Sequence, residues 1–402
     1  MLEKQWEENK EELSIMIEDL KEEFKKVYNK ESDLAFFAPG RINLIGEHID
    51  YSGGHVFPCA ITFGTYAVVK KREDRKIRLY SNNFSELGVY EFDLDKLVYD
   101  EKDDWTNYVK GVLSIMQEDG HELMHGFDVV YEGNIPNGAG LSSSASIEVL
   151  SAVIADSINE LDLKKMTLVK IALRAENDFV GVQCGIMDQF AVTMGKEDTA
   201  MLLDTRTNEF DYAPLDLKDN VIVIMNTNKQ RGLSDSAYNE RREQCDEALA
   251  ILNTVEEKDF LCEHNLKTLN KNKDLFEDDL VFKRARHAIS ENLRTIKAAE
   301  VLKEDDLETF GQLMDESHAS LRDDYDVTGK ELDAIVWAAQ KQEGVHGARV
   351  TGAGFGGCAL AIVKEKQVDS FIEAVGKEYE KTIGYAADFY IATAGKGAGE
   401  IK

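Results

Sequence analysis

The stretch Pro39-Gly-Arg-Ile-Asn-Leu-Ile-Gly-Glu-His-Ile-Asp-Tyr51 places Arg41, Asn43, Glu47, His48, Asp50 and Tyr51 among Gly40, Gly46, Gly53 and Gly54. So many hydrogen-bonding side chains beside so few large apolar ones predict a ligand-facing segment, not a core element. Donors and acceptors on a glycine-shaped backbone suit a small polar ligand, and a sugar carries hydroxyls on every face.

Working outward, residues 2–30 read as one amphipathic helix, with Trp6, Leu13, Met16, Leu20, Phe24 and Val27 at helical spacing. Strand-like segments follow at 34–37, 64–70, 77–81, 88–92 and 127–131, then helices from Ser142 and over 167–180. Residues 221–225 form a short apolar run fit for a buried strand. The chain beyond is expected to be mostly helical over 237–342, closing with strand, glycine turn and strand over 348–363. Strands followed by helices favour α+β over a doubly wound sheet. The polar segment 205–220 marks the expected boundary between two domains, 1–210 and 211–402.

A chain of 402 residues can bury more than one core. Its net charge of −29 argues against a nucleic-acid binder, because neutralising phosphates needs a basic surface. Any nucleotide site must therefore be locally electropositive or metal-assisted. Cys59, Cys184, Cys245, Cys262 and Cys358 are odd in number and never spaced as Cys-x-x-Cys, which favours reduced thiols over a disulfide framework or a zinc site. With no signal-like leader and no apolar run of membrane-spanning length, the expected compartment is the cytoplasm, with no membrane partner.

Pro136-Asn-Gly-Ala-Gly-Leu-Ser-Ser-Ser-Ala145 joins a strand to a helix through a glycine turn. Close backbone approach at Gly138 and Gly140, unpaired amides at the helix start and the hydroxyls of Ser142, Ser143 and Ser144 fit an anion. One cap needs one serine, so three serines favour phosphate over an ordinary helix start. The segment lacks the lysine of a P-loop. A second cluster, Gly352-Ala-Gly-Phe-Gly-Gly357, satisfies Gly-x-Gly-x-x-Gly, but a strand follows where a dinucleotide fingerprint requires a helix. A tight turn, lining a cavity or forming a plain hairpin, is expected there instead.

Together these segments resemble the galactokinase branch of the GHMP family of sugar and metabolite kinases. The opening stretch matches that branch's Gly-Arg-x-Asn-Leu-Ile-Gly-Glu-His-x-Asp-Tyr, and the serine loop its Pro-x-Gly-x-Gly-Leu-Ser-Ser-Ser-Ala. Residues 350–357 match its third motif, and Cys184-Gly-Ile-Met-Asp-Gln-Phe190 its catalytic segment. The resemblance implies an N-terminal domain like ribosomal protein S5 domain 2, a C-terminal ferredoxin-like domain and an active site in the cleft between them. It implies transfer of a phosphoryl group from ATP to the anomeric hydroxyl of galactose by a monomer.

Residue by residue, the resemblance puts Asp188 beside that hydroxyl as base, with Arg41 alongside to stabilise charge on the carboxylate and on the transferring phosphoryl. Glu47, His48, Ile49, Asp50, Gly185 and Tyr238 would hold the sugar. Gly138, Ala139, Gly140, Leu141, Ser142, Ser143 and Ser144 would cradle ATP, with Ser81 a further nucleotide contact. Ser144 and Glu176 would coordinate magnesium; from its helix alone Glu176 would be a solvent-facing glutamate. The rivals are a sibling kinase acting on N-acetylgalactosamine or another hexose, and a non-catalytic galactose and ATP sensor. Sensors of this lineage tend to carry damaged serine loops, whereas this loop, Arg41 and Asp188 are intact.

Overall fold

The computed structural model describes residues 2–136, 140–229 and 234–401, without the side chains of 2–12 and 234–236. Helix α1 (Leu2–Tyr28) precedes strands β1 (Leu34–Asn43), β2 (His55–Val56), β3 (Pro58–Lys71), β4 (Lys76–Ser81) and β5 (Tyr90–Asp93). Next come α2 (Thr106–Glu118), β6 (Phe127–Gly133), α3 (Ser143–Asn159), α4 (Lys165–Arg174), a π-helical turn (Ala175–Val180) and α5 (Met187–Met194). Strands β7 (Thr199–Asp204), β8 (Glu209–Pro214) and β9 (Asn220–Asn226) lead to helices α6 (Ser234–Asn253), α7 (Leu266–Lys271), α8 (Asp279–Lys303), α9 (Leu307–Ser320) and α10 (Gly329–Gln340). The chain ends with β10 (Val345–Thr351), β11 (Cys358–Lys364), α11 (Val368–Ile383), β12 (Asp388–Ala392) and β13 (Gly399–Glu400).

The first sheet runs β13-β1-β3-β6-β4-β5, with β4 and β6 parallel and the other pairs antiparallel. Alternate side chains of these strands face opposite layers, as the two-residue period requires. Phe36, Ala67, Val69, Val129 and Tyr131 pack under α2, α3 and α4, whereas Ala35, Val68 and Val130 meet Ile17, Leu20 and Phe24 of α1. Strand β13 pairs with β1, so the C-terminus completes the sheet of the first half.

The second sheet, β10-β11-β9-β12, is antiparallel. Its apolar strands are covered on both faces: Val223, Met225, Ala359 and Ala361 join the core around α6, α8, α10 and α11. Ile222, Ile224, Leu360 and Ile362 join the core shared with Ile42, Leu44 and Phe57 at the end of β1. That shared core fixes the polar stretch of β1 against the second half.

The architecture is α+β, and two readings of the opening stretch change. Strand β1 extends through Asn43, continuing its ladder with β3 past a register shift between Pro39 and Arg41. The stretch is also buried: Arg41, Asn43, Glu47 and His48 are each at most 5% exposed. Burial is tolerated because partners from distant parts of the chain satisfy these groups. Helices α2 and α11 form where no helix was expected.

Candidate active site

Strand β1 delivers Arg41 to the first turn of α5, where Asp188 sits. Arg41 Nε donates to Asp188 Oδ1 at 2.8 Å and Nη2 to Oδ2 at 2.7 Å, while Nη1 donates to the Gly140 carbonyl at 2.8 Å. A guanidinium fork matches a carboxylate in both charge and geometry. Ser142 stands at the start of α3 in the left-handed region, φ 64°, and its side chain caps nothing. Its hydroxyl donates instead to Asp188 Oδ2 at 2.6 Å, so a serine that could have capped the helix orients the carboxylate.

Glu47 accepts from the Asn43 side-chain amide and from the Gly352 amide, the latter at 2.5 Å. Gly352 is at φ 79°, and a Cβ there would fall 2.6 Å from the Gly140 carbonyl oxygen, so the third motif packs directly on the serine loop. Burial pushes the Glu47 carboxyl up to about 7 despite Arg349 and Arg41 nearby. Burial, then the charge of Asp188, raises Asp50 to about 6. Asp50 Oδ2 accepts from the Met187 amide at 3.2 Å, and a Cβ on Gly185 would fall 2.1 Å from that oxygen. Gly185 thus lets Asp50 lie against the segment carrying Asp188.

Both ring nitrogens of His48 are engaged by the protein, Nδ1 with Tyr51 at 2.8 Å and Nε2 with the Ala353 carbonyl at 2.9 Å. His48 lines the cavity with both nitrogens hydrogen-bonded within the protein. The Tyr238 ring lies 5.2 Å from the His48 ring and forms cavity wall.

Glu176, on the π-helical turn, is buried, not solvent-facing. It hydrogen-bonds with Ser144 and accepts from Gln189 Nε2 at 2.6 Å. Gln189 Nε2 also donates to Glu148 at 3.1 Å, and Glu148 Oε1 is buried with no donor. Burial, reinforced by the charge of Asp188, pushes the Glu176 carboxyl up to about 7. Burial and the charge of Glu176 push Glu148 well up as well. Carboxylates in excess of cations, with a hydroxyl beside them, fit a hard divalent ion such as magnesium. No cluster of three or more His, Cys, Asp or Glu at ligand spacing occurs among the described residues. Magnesium in kinases needs only one or two protein oxygens beside phosphate and water, so Ser144 and Glu176 remain a sufficient pair.

A cavity of about 250 Å³ brings most of the expected residues together: Arg41, Glu47, His48, Asp50, Gly140, Ser142, Ser143, Ser144, Glu176, Gly185, Asp188 and Tyr238 line it. Ile49 and Leu141 do not; both side chains are apolar and sealed in the cores. Ser81 ends β4, is buried, and lies outside the cavity wall, opposite Tyr131 on the strand leading to the serine loop. Gly138 and Ala139 lie outside the described residues. Sequence reasoning missed Glu148, Gln189 and Arg349. Gln189 carried a signal, since it lies within the matched segment next to Asp188; Glu148 sits on the buried face of α3 and carried none.

The galactokinase galactose-binding signature matches residues 22–71, the GHMP kinase N-terminal domain 107–196 and the GHMP kinase C-terminal domain 298–381. A galactokinase of Fusobacterium nucleatum is 54% identical over 389 residues, covering 96% of this chain and 100% of the relative. One of Ligilactobacillus salivarius is 54% identical over 373 residues, covering 93% and 96%. The crystal structure of Lactococcus lactis galactokinase complexed with galactose superposes with a TM-score of 0.94 at 46% identity, covering 96% of this chain and 100% of that one. A mevalonate kinase structure at 20% identity and TM-score 0.63, covering 90% and 99%, shares the fold. No described helix is long and apolar enough to cross a membrane. The chain belongs to the galactokinase family of GHMP kinases.

Proposed function

We propose that the protein transfers the γ-phosphoryl group of ATP to the anomeric O1 hydroxyl of α-D-galactose, giving galactose 1-phosphate and ADP. One observation carries this reading: the Asp188 carboxylate, clamped by Arg41 and Ser142, faces the cavity where the sugar signature meets the serine loop. Among the described residues, Oδ2 takes two donors and Oδ1 only one. A carboxylate oxygen offers two acceptor positions, so Oδ1 is the atom to receive the O1 hydrogen. Held in place, Asp188 aims O1 along the line of attack, and in a loose transition state that orientation matters as much as proton removal.

Asp50, Glu47, the Gly185 backbone and the Tyr238 ring surround the sugar in this reading. Gly140 and Ser142–Ser144, at the positive end of α3, receive the phosphates, and Arg41 stabilises charge on the transferring group. Ser144 and Glu176 would hold magnesium, which when bound neutralises the β- and γ-phosphate oxygens. Every side chain named comes from one chain, which supports a monomer, and the use of ATP supports a cytoplasmic location.

Steady-state rates with galactose, N-acetylgalactosamine, glucose and mevalonate in parallel test the reading. Galactose should be clearly preferred. Preference for N-acetylgalactosamine would point to the sibling kinase, and ATP and sugar binding without turnover to the sensor.

A further inference from the structure

His48 is held at φ 61°, in the left-handed region, and its ring is the middle of a longer chain of contacts. Beyond the Nδ1 contact, the Tyr51 hydroxyl lies 2.8 Å from that of Tyr325, and Cys245 Sγ lies 3.1 Å from the Tyr325 hydroxyl. One atom sets the direction of the whole series. The Ala353 carbonyl can only accept, so Nε2 carries the ring hydrogen. Burial, the largest influence on this imidazole, opposes a second proton and brings it down to about 3. Nδ1 therefore accepts from Tyr51, the Tyr51 oxygen accepts from Tyr325, and the Tyr325 oxygen accepts from the Cys245 thiol.

We propose that Tyr51 and Tyr325 are positioning residues for the sugar end of the site: in series they fix His48 with Nδ1 accepting and Nε2 donating, and His48 pins Ala353 to the signature segment. The neighbours of Ala353 and His48 give the pin its consequence. Gly352, one residue before Ala353, donates to Glu47, one residue before His48. If Ala353 moves, Glu47 loses a backbone donor and the wall facing the sugar shifts. The four links come from the signature segment, the π-helical turn at Leu321–Tyr325, helix α6 and the third glycine motif. The inference rests on the sugar-site reading above for its kinetic consequence, but the hydrogen-bond order stands apart from any substrate.

The test uses Tyr51→Phe, Tyr325→Phe and the double variant in the full chain. In the sugar-free wild type, nitrogen-15 NMR of the His48 ring, assigned by its loss in His48→Gln, should report a neutral ring protonated at Nε2. In Tyr51→Phe the Nδ1 resonance should move to that of an acceptor without a donor. With Tyr51→Phe the KM for galactose should rise about tenfold, as expected when one buried acceptor is left unpaired, with the KM for ATP within about twofold of wild type. Tyr325→Phe, which leaves Nδ1 its donor, should raise the galactose KM about threefold, and the double variant should match Tyr51→Phe alone because the links are in series. A wild-type ring protonated at Nδ1, a folded Tyr51→Phe with wild-type galactose KM, or effects that multiply in the double variant would each overturn the proposal. If Tyr51→Phe does not fold, Tyr325→Phe alone decides: the ring should stay neutral with Nδ1 still hydrogen-bonded while the galactose KM rises about threefold, and a folded Tyr325→Phe with wild-type galactose KM would overturn the proposal. A wild type inert toward galactose would instead sink the function reading, leaving the ring measurement to judge the relay.

Discussion

Arg41 and Asp188, 147 residues apart in the chain, meet as a parallel pair, Nε to Oδ1 at 2.8 Å and Nη2 to Oδ2 at 2.7 Å. The contact joins the last residues of β1 to the first turn of α5 and leaves Asp188 one quarter exposed, against 4% for Arg41. The arginine is thus the fixed partner and the carboxylate the one that can meet a ligand.

Replacing Asp188 by Ala removes the group that aims and deprotonates the sugar hydroxyl. Turnover should fall by about a thousandfold or more while galactose binding stays measurable by calorimetry. Substantial residual turnover would remove Asp188 from the catalytic role.

Arg41→Lys keeps the charge but not the fork, so one Asp188 oxygen loses its donor. We expect kcat to drop on the order of a hundredfold with the galactose KM little changed. A change confined to KM would argue that Arg41 binds sugar and does not serve the reaction.

Ser142→Ala removes one of the three donors to Asp188 among the described residues while leaving Ser143 and Ser144 in place. The expected result is a roughly tenfold lower kcat, in line with a hydrogen bond to a charged group. The KM for galactose should not move; if the KM for ATP rose instead, Ser142 would be a phosphate contact and no more.

Gly185→Ala would set a methyl group 2.1 Å from Asp50 Oδ2, a distance no contact tolerates. Asp50 must then swing away from the cavity, and the galactose KM should rise at least about tenfold with the fold intact by circular dichroism. Wild-type sugar affinity would show that Asp50 is not a sugar contact.

Burial holds the Glu176 carboxyl at about 7 against an ordinary value of 4.5. Between those two values the folded chain binds more protons than the unfolded one, so this group's contribution to stability falls as pH rises from 4.5 through 7. Metal-free Glu176→Gln should therefore be more stable than wild type at pH 8, by on the order of 2 kcal/mol in urea unfolding, with the advantage shrinking towards pH 5. The same variant should bind magnesium with ATP more weakly. Equal stability at both pH values would mean the carboxyl is already neutralised by a partner.

The opening stretch shows how far a sequence could be read. Its content of donors pointed to a polar site, and Arg41, Glu47, His48 and Asp50 line a cavity. Its reading as a segment outside the core and beyond the first strand did not hold, because the ladder of β1 with β3 continues through Arg41, Ile42 and Asn43 and lies between partners from the other half of the chain. Thr351 accepts from the Asn43 amide at 3.0 Å, and Arg349 donates to the carbonyls of Asn43 and Leu44 at 3.0 and 3.2 Å. Helix α2 was legible in principle, with Val109, Val112, Leu113 and Met116 at helical spacing; helix α11 shows the same pattern at Val368, Phe371, Val375 and Tyr379.

The sequence by itself determined the α+β class and the places of the serine loop and third motif, which follow from apolar period and glycine placement acting over a few residues. Of the residues that gather at the cavity, Asp188, Gly185, Glu176 and Tyr238 were legible only through the resemblance to the kinase family. Only the tertiary structure decided what each polar atom does: that Ser142 serves Asp188 and not its helix, that His48 is spent on Tyr51 and Ala353, and that Glu176 is buried beside Glu148. A side chain's hydrogen-bond partner is whichever matching group the fold brings within about 3 Å, and a partner such as Ala353, 305 positions from His48, leaves no local mark in the chain.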